Sequence, residues 1–340
     1  SAQEEGSATP PGRSRPGALR VAASLLSAAL LLVVVFWLAD FDELGRRLSG
    51  ARVDLIGLAL LAYAGTYVAR ARRFAAAGAR ASTWTLFWVV TIHGAANRLL
   101  PLRTGELSYP IIARRVGAAA LGEGLVQILL LRIMDLLTVA LLFLAALGLA
   151  LLSGLSGMGQ STGAFVAAAA GLVVVSGLAL AKLGQVLGIV VGIARRIFRN
   201  PESPIGKMLD KAGDAVGSVS ALTVAKRLRI VFWSVACWSA YFAMFQLILL
   251  ALGVELPLLR TVLGSSAAIV GSTVPISGVG TFGALEGGWT AGFVAVGLEP
   301  ATAASTAIVM SGLSLAFAVL LAACGWVALG ATGAGKKRDD

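Results

Sequence analysis

Metal-binding side chains are scarce in this chain, which has one histidine and two cysteines among 340 residues. Both cysteines lie inside apolar segments, where a thiol packs as a small hydrophobic group. Because a zinc site takes about four histidine, cysteine or carboxylate ligands close together, we expect no metal ion, no cofactor and no disulfide. The chain also lacks the patterns of P-loop ATPases, zinc proteases and serine hydrolases.

Charged residues are scarce as well: they make up only 13% of the chain, whereas 58% is hydrophobic. Residues 136–181 and 301–335 carry no charge at all, and both stretches exceed the ~20 residues that cross a bilayer. A soluble domain has too little interior to hide so much apolar surface. The sequence therefore predicts an all-α polytopic membrane protein.

Six apolar segments are long enough to cross the membrane, at about 19–39, 53–69, 124–152, 164–190, 230–252 and 302–330. Two more, at about 84–113 and 261–297, are interrupted by proline and glycine. Each half of these two is short for a crossing of ~30 Å. We interpret them as re-entrant helical hairpins, whose irregular tips are tolerated only inside protein or against water.

The remaining segments are short and polar. We expect residues 1–18 to form a disordered cytoplasmic tail and residues 331–340 to form a basic cytoplasmic tail. We expect residues 195–229 to form a cytoplasmic amphipathic insert that lies on the surface of anionic lipid. A single transmembrane domain then occupies residues 19–330.

Lysine and arginine indicate the orientation. The net charge of +11 follows the membrane topology, which argues against nucleic acid as a partner. With both termini cytoplasmic, most basic residues fall on the cytoplasmic side, Arg70 and Arg73 among them. This bias, typical of a bacterial inner-membrane protein, requires each hairpin to return to the side from which it entered. The two hairpins then enter from opposite faces, as in an inverted pseudo-repeat.

Polar side chains are concentrated at the tip of the first hairpin: Asn97, Arg98, Arg103, Glu106 and Tyr109. Charge at membrane depth is costly and marks a functional site by default. A guanidinium binds phosphate through two parallel hydrogen bonds, and Glu106 either holds an arginine in place or exchanges with an anionic substrate. In the alternative interpretation, Arg98 and Arg103 lie in a cytoplasmic loop and reach toward lipid head groups.

Two charged residues of the third span, Arg132 and Asp135, share one helix face. They form either a local ion pair, or a unit in which Arg132 faces the hairpin site and Asp135 orients it. The single histidine, His93, precedes Asn97 on an apolar half-helix. There a hydrogen-bonded interior histidine is favoured over a proton relay.

The second hairpin contains a G-x-G-x-x-G pattern within residues 275–286. No strand precedes it, so a dinucleotide site is excluded. Its better interpretation is a hairpin tip where backbone amides and the hydroxyls of Ser277 and Thr281 meet an anion at a helix N-terminus. Glu286, about one turn into that helix, either couples proton movement or pairs with an arginine of the first hairpin.

Three motifs together resemble the flippase-like family: Asn97-x3-Pro101-x-Arg103-x-Gly105-Glu106, Leu131-Arg132-x2-Asp135-Leu136 and the glycine-rich turn 275–286. This family comprises the membrane region of lysylphosphatidylglycerol synthases and its stand-alone relatives. The resemblance implies lipid translocation or lipid handling by a membrane domain without the synthase domain. Two departures are Gly283, which stands near where a glutamate is expected, and the pair Tyr109-Pro110.

Residues and resemblance together predict a transporter that moves an anionic, phosphate-bearing lipid or lipid-linked precursor across the inner membrane. Its head group would bind Arg98, Arg103 and Arg132. The alternatives are a membrane-embedded transferase or phosphatase that acts on a lipid phosphate, an accessory subunit, and a structural partner of an envelope-lipid pathway. A membrane lipid is the expected partner; a homo-oligomer and an envelope-lipid enzyme also stay open as partners.

Overall fold

A computed structural model describes residues 41–100, 105–153, 182–197, 200, 203–220, 222–273 and 283–331, with single residues between 167 and 178. Every regular element in these ranges is helical, which confirms the all-α prediction. The helices are α1 (Phe41–Ser49), α2 (Val53–Ala76), α3 (Thr83–Leu99), α4 (Ser108–Arg115), α5 (Leu121–Leu152), α6 (Leu183–Ile197), α7 (Pro204–Ser220), α8 (Val224–Ala251), α9 (Leu258–Thr273), α10 (Ala284–Ala295) and α11 (Pro300–Ala331).

Four of these helices, α2, α5, α8 and α11, are long and apolar enough to cross a membrane. They coincide with four of the predicted spans, and a polytopic membrane protein fits the described part of the chain. The predicted span 19–39 lies outside the described residues, and the span 164–190 is described only in part. Helix α2 continues past its predicted end at residue 69 to Ala76, and this extension positions much of the site below.

The core is built around α2, which packs along α8 and also contacts α3. Tyr63 and Tyr67, one turn apart on α2, are fully buried and meet edge to face with ring centroids 5.1 Å apart. Tyr63 also contacts Tyr241 of α8 and Phe317 of α11, each at 5.9 Å between centroids. Apolar residues at helical spacing thus fix α2 between the other long helices.

The residues of the first predicted hairpin form α3 and α4, which pack against each other. Gly105, just before α4, packs directly against the backbone of α3: a Cβ added to Gly105 would come within 2.6 Å of the Asn97 Cα. Beyond the two helices, the Arg80 amide donates to the Ala118 carbonyl at 2.7 Å. The chain therefore returns to the place where the hairpin began. Residues 101–104, including Arg103, lie outside the described residues.

The second predicted hairpin corresponds to α9 and α10, which also pack closely. Glycine makes this contact possible: a Cβ on Gly288 would lie 2.8 Å from the Ala267 carbonyl oxygen, and a Cβ on Gly292 would lie 2.8 Å from the Ala267 Cβ. Small residues let helix backbones approach closely in membranes. The tip, residues 274–282 with Ser277 and Thr281, lies outside the described residues.

The predicted insert at 195–229 contains α7, which packs on α5 and α6. Met208, Leu209, Ala212 and Ala215 are the buried side chains of α7. Protein therefore covers the apolar face of α7, and its charged face is the one left exposed. Contact of this insert with anionic lipid stays a prediction.

Candidate functional site

A polar cavity of about 40 Å³ lies between α2, α3 and α5. It is lined by Arg70, Arg73, Phe74, Val90, His93, Asn97, Ile128, Leu131, Arg132 and Asp135. A cavity of this volume holds a few water molecules or one small polar group. Three arginines and one aspartate line this small space, so its lining carries a surplus of positive charge.

The position of Asp135 in α5 indicates how deep the cavity lies along this candidate span. From Leu121 to Asp135, helix α5 rises ~21 Å, and from Asp135 to Leu152 it rises ~26 Å. Asp135 is thus near the middle of a helix longer than the ~30 Å hydrocarbon core. The cavity lies far from both ends of this candidate span.

Arg73 and Asp135 form a buried ion pair, with 3% and 14% of their side chains exposed. Trp238 donates its indole N–H to the Asp135 Oδ1 at 2.9 Å, and Arg73 Nη1 also lies 3.3 Å from the Ser234 hydroxyl. A buried charge is tolerated when it is paired and hydrogen-bonded in this way. Helix α2 continues past the predicted span end at residue 69 and carries Arg73 into the bundle.

Arg132 pairs with Glu106, at 2.9 Å between Nη2 and Oε1. Glu106 belongs to the short turn before α4, so this pair connects the first hairpin to α5. Their side chains are 44% and 26% exposed. Of the two alternatives for Arg132 and Asp135, each holds only in part or not at all: Asp135 pairs with Arg73 rather than with Arg132, and Arg132 faces the first hairpin.

Two further arginines surround Tyr241. Arg98 donates from Nη2 to the Tyr241 hydroxyl at 3.3 Å, which places it inside the bundle and rules out the loop alternative for this residue. Arg70 lies over the rings of Tyr67 and Tyr241, with its Cζ 5.3 Å and 5.6 Å from their centroids. Neither arginine forms an ion pair with an acidic residue of the described ranges.

His93 lies in a continuous hydrogen-bond chain. The Asn97 amide donates to His93 Nε2 at 3.1 Å, and the Ser108 hydroxyl donates to the Gly105 carbonyl at 2.6 Å. Because the Ser108 proton is used there, its oxygen accepts from His93 Nδ1 at 3.0 Å. The buried ring is therefore a neutral, hydrogen-bonded interior histidine that joins α3 to α4, and Asn97 belongs to the same chain.

Tyr109 is buried directly behind the cavity lining: it stacks on the lining residue Phe74, with centroids 3.9 Å apart, and donates to Gln127 at 2.9 Å. Glu286 is 2% exposed and accepts the Gly283 amide at 2.7 Å, which caps α10. It contacts none of the described arginines. Of the remaining predicted site residues, Arg103, Ser277 and Thr281 lie outside the described residues.

We refer to the four buried or half-buried arginines as the arginine cluster: Arg70, Arg73, Arg98 and Arg132. Among the described residues, its four positive charges face two carboxylates, Asp135 and Glu106. Two positive charges are left over in a largely apolar bundle. Such a surplus favours an anionic ligand.

Sequence reasoning missed Arg70, Arg73, Trp238 and Tyr241. Arg70 and Arg73 are three residues apart and share a helix face. Tyr63, Tyr67 and Arg70 recur at helical spacing, which was the available signal that α2 runs on past residue 69. No group of three or more histidine, cysteine or carboxylate side chains suited to a metal ion occurs in the described part of the chain.

Comparison with known proteins gives one family. The family model described as lysylphosphatidylglycerol synthase TM region matches residues 20–322. No curated protein and no solved structure matches the chain. The matched range contains the whole arginine cluster and both hairpins.

Proposed function

Because the chain belongs to the lysylphosphatidylglycerol synthase TM-region family of lipid-related membrane proteins, we propose that it is a lipid flippase. Its cargo is an anionic, phosphate-bearing lipid or lipid-linked precursor, moved across the bacterial inner membrane. The observation that carries the proposal is the surplus positive charge of the arginine cluster at a cavity near the middle of α5.

A phosphate head group fits this charge. Isolated charge at membrane depth is costly, and a lipid phosphate offsets it while forming charge-assisted hydrogen bonds with guanidinium groups. The acyl chains stay in the bilayer. Only the phosphate therefore has to reach the polar cavity, whose volume of about 40 Å³ is that of one small polar group.

Movement of the head group relies on the hairpins. In the proposal they are re-entrant, enter from opposite faces and alternate in exposing the cavity, as broken helices do in inverted-repeat transporters. The bond between Arg80 and Ala118 supports a first hairpin that returns to its starting side. The half-exposed pair of Arg132 and Glu106 lies where an incoming phosphate can replace the Glu106 carboxylate.

Reconstitution tests this function. Purified protein in liposomes should move fluorescent phosphatidylglycerol between leaflets, as seen by chemical quenching of the outer leaflet, and empty liposomes should not. The Arg98→Ala variant should slow the movement, whereas Arg72→Ala, an exposed arginine of α2, should not. Mass spectrometry of the recovered lipid supplies the second readout: a changed lipid mass would favour the transferase or phosphatase alternative.

A further inference from the structure

Arg70 is the arginine of the cluster whose guanidinium has no hydrogen bond to any described residue. Its Nε is buried and unpartnered within that part of the chain, yet its side chain lines the cavity. Asp135 attracts it electrostatically, but the Oδ1 of this carboxylate already accepts from Arg73 and Trp238. A buried N–H without an acceptor is uncommon and calls for one.

The surroundings of Arg70 restrict the direction of that acceptor. The rings of Tyr67 and Tyr241 both lie against the guanidinium, 5.3 Å and 5.6 Å from Cζ. The guanidinium carbon lies over these two rings, and the N–H groups of any guanidinium point outward in its plane. A ligand therefore meets Arg70 at the guanidinium edge, where Nε and one Nη present two parallel N–H groups.

The other arginines are already engaged. Arg73 holds Asp135, Arg132 holds Glu106 and Arg98 donates to Tyr241. The Arg73 Nε is also buried without an acceptor among the described residues, but its Nη1 is fixed in the ion pair. Arg70 is thus the arginine of the cluster whose donors are not already committed to a described partner.

We propose that Arg70 binds the head group side-on, with Nε and one Nη donating to two oxygens of a single oxyanion. This inference rests on the proposed function and states how the phosphate is held: two non-bridging oxygens on one phosphorus accept the paired donors, and the phosphodiester of a glycerophospholipid offers both. Arg73 is then a positioning residue, held by Asp135. A lysine at position 70 keeps the charge but cannot offer the paired donors.

The test is a binding titration of the full-length protein in detergent. Short-chain phosphatidylglycerol is added while tryptophan fluorescence is followed, because Trp238 hydrogen-bonds Asp135 beside the cavity. Arg70→Lys should weaken binding by about tenfold, the loss of roughly one charge-assisted hydrogen bond. Arg72→Lys, two positions away and exposed, should bind like the wild type. Inorganic phosphate and short-chain phosphatidylcholine are titrated in parallel.

Each outcome decides one of the two proposals. Unchanged affinity in Arg70→Lys, or no binding of any phosphate compound to the wild type, overturns the role of Arg70 even if lipid translocation is observed. Binding that depends on Arg70 without any translocation in liposomes supports the inference and removes the flippase function. Inorganic phosphate bound as tightly as the lipid, again through Arg70, keeps the oxyanion site and points to a free anion as its ligand.

A second measurement uses the wild type and so does not depend on the folding of a variant. Phenylglyoxal modifies guanidinium groups, and peptide mass spectrometry follows its rate at Arg70 and Arg72 separately. Short-chain phosphatidylglycerol should slow modification at Arg70 and leave the rate at Arg72 unchanged. Equal rates at Arg70 with and without the lipid would contradict the proposal.

Discussion

Arg73 and Asp135 are 62 positions apart in the sequence, and their side chains form an ion pair inside the helix bundle. The pair joins α2 to α5, and the Trp238 indole brings α8 to the same carboxylate at 2.9 Å. Three candidate membrane spans therefore meet at one oxygen atom. This contact fixes the wall of the cavity against which the rest of the arginine cluster is arranged.

Replacement of Asp135 by asparagine should destabilise the protein strongly. Arg73 would stay 3% exposed with no counter-charge, and removal of one partner of a buried ion pair costs about 3 to 5 kcal/mol. Thermal unfolding in detergent measures the effect. The matched control is Glu123→Gln, which breaks the exposed pair with Arg80 and should change the free energy of unfolding by less than ~1 kcal/mol. Equal stabilities of the two variants would contradict a structural role for the buried pair.

Gly94→Ala should also destabilise the protein, since α3 passes directly over Tyr67. An alanine Cβ would lie 2.8 Å from two Tyr67 ring carbons, and the fully buried ring has no free space. Overpacking of this kind costs about 1 to 3 kcal/mol. Gly65→Ala, in α2 with nothing within 4 Å of the new Cβ, should instead be neutral or stabilising, because alanine favours helix over glycine by ~1 kcal/mol. The melting curve of Gly94→Ala should therefore shift to lower temperature, whereas that of Gly65→Ala should not.

The long spans, and the division of each interrupted segment into two helices, could be predicted because their signals are local. Apolar length indicated α5 and α11, and proline with glycine indicated the breaks near residues 101 and 275. Those features depend on a few neighbouring residues and on the thickness of the bilayer. Helix α2 was cut short for the same reason: Arg70 and Arg73 locally resemble the basic end of a span.

The partners of the charged residues could not be predicted, because they depend on how distant helices pack. Arg132 and Asp135 share a helix face, which suggested one pair. In the structure, Asp135 forms an ion pair with Arg73 of a distant helix, and Arg132 forms an ion pair with Glu106. Tyr109 was expected beside the site from sequence proximity alone; it lies behind the lining residues Phe74 and His93, and its hydrogen bond to Gln127 could not be foreseen.

Variants of Glu286 separate a structural cap from a role in coupling. Its Oε2 accepts the Gly283 amide at 2.7 Å at the start of α10, so Glu286→Ala should cost roughly 1 kcal/mol in unfolding free energy. Glu286→Gln keeps a carbonyl acceptor and should stay closer to the wild type in stability. If the carboxylate also couples proton movement, Glu286→Gln should lose translocation driven by a pH gradient while remaining folded. Normal transport by this variant would leave Glu286 as a cap alone.

Arg132 should matter more for transport than for stability. Its pair with Glu106 is 44% and 26% exposed, and half-exposed ion pairs contribute less than ~1 kcal/mol. Arg132→Ala should therefore melt near the wild type but slow phosphatidylglycerol translocation by about tenfold, the effect of one lost charge-assisted contact.

The Glu106→Gln variant tests whether the lipid phosphate replaces the Glu106 carboxylate on Arg132. It removes the carboxylate that competes with the lipid phosphate, so binding of short-chain phosphatidylglycerol should tighten. If Glu106→Gln weakens that binding, the carboxylate supports the site by holding Arg132 in place, and the exchange step is wrong.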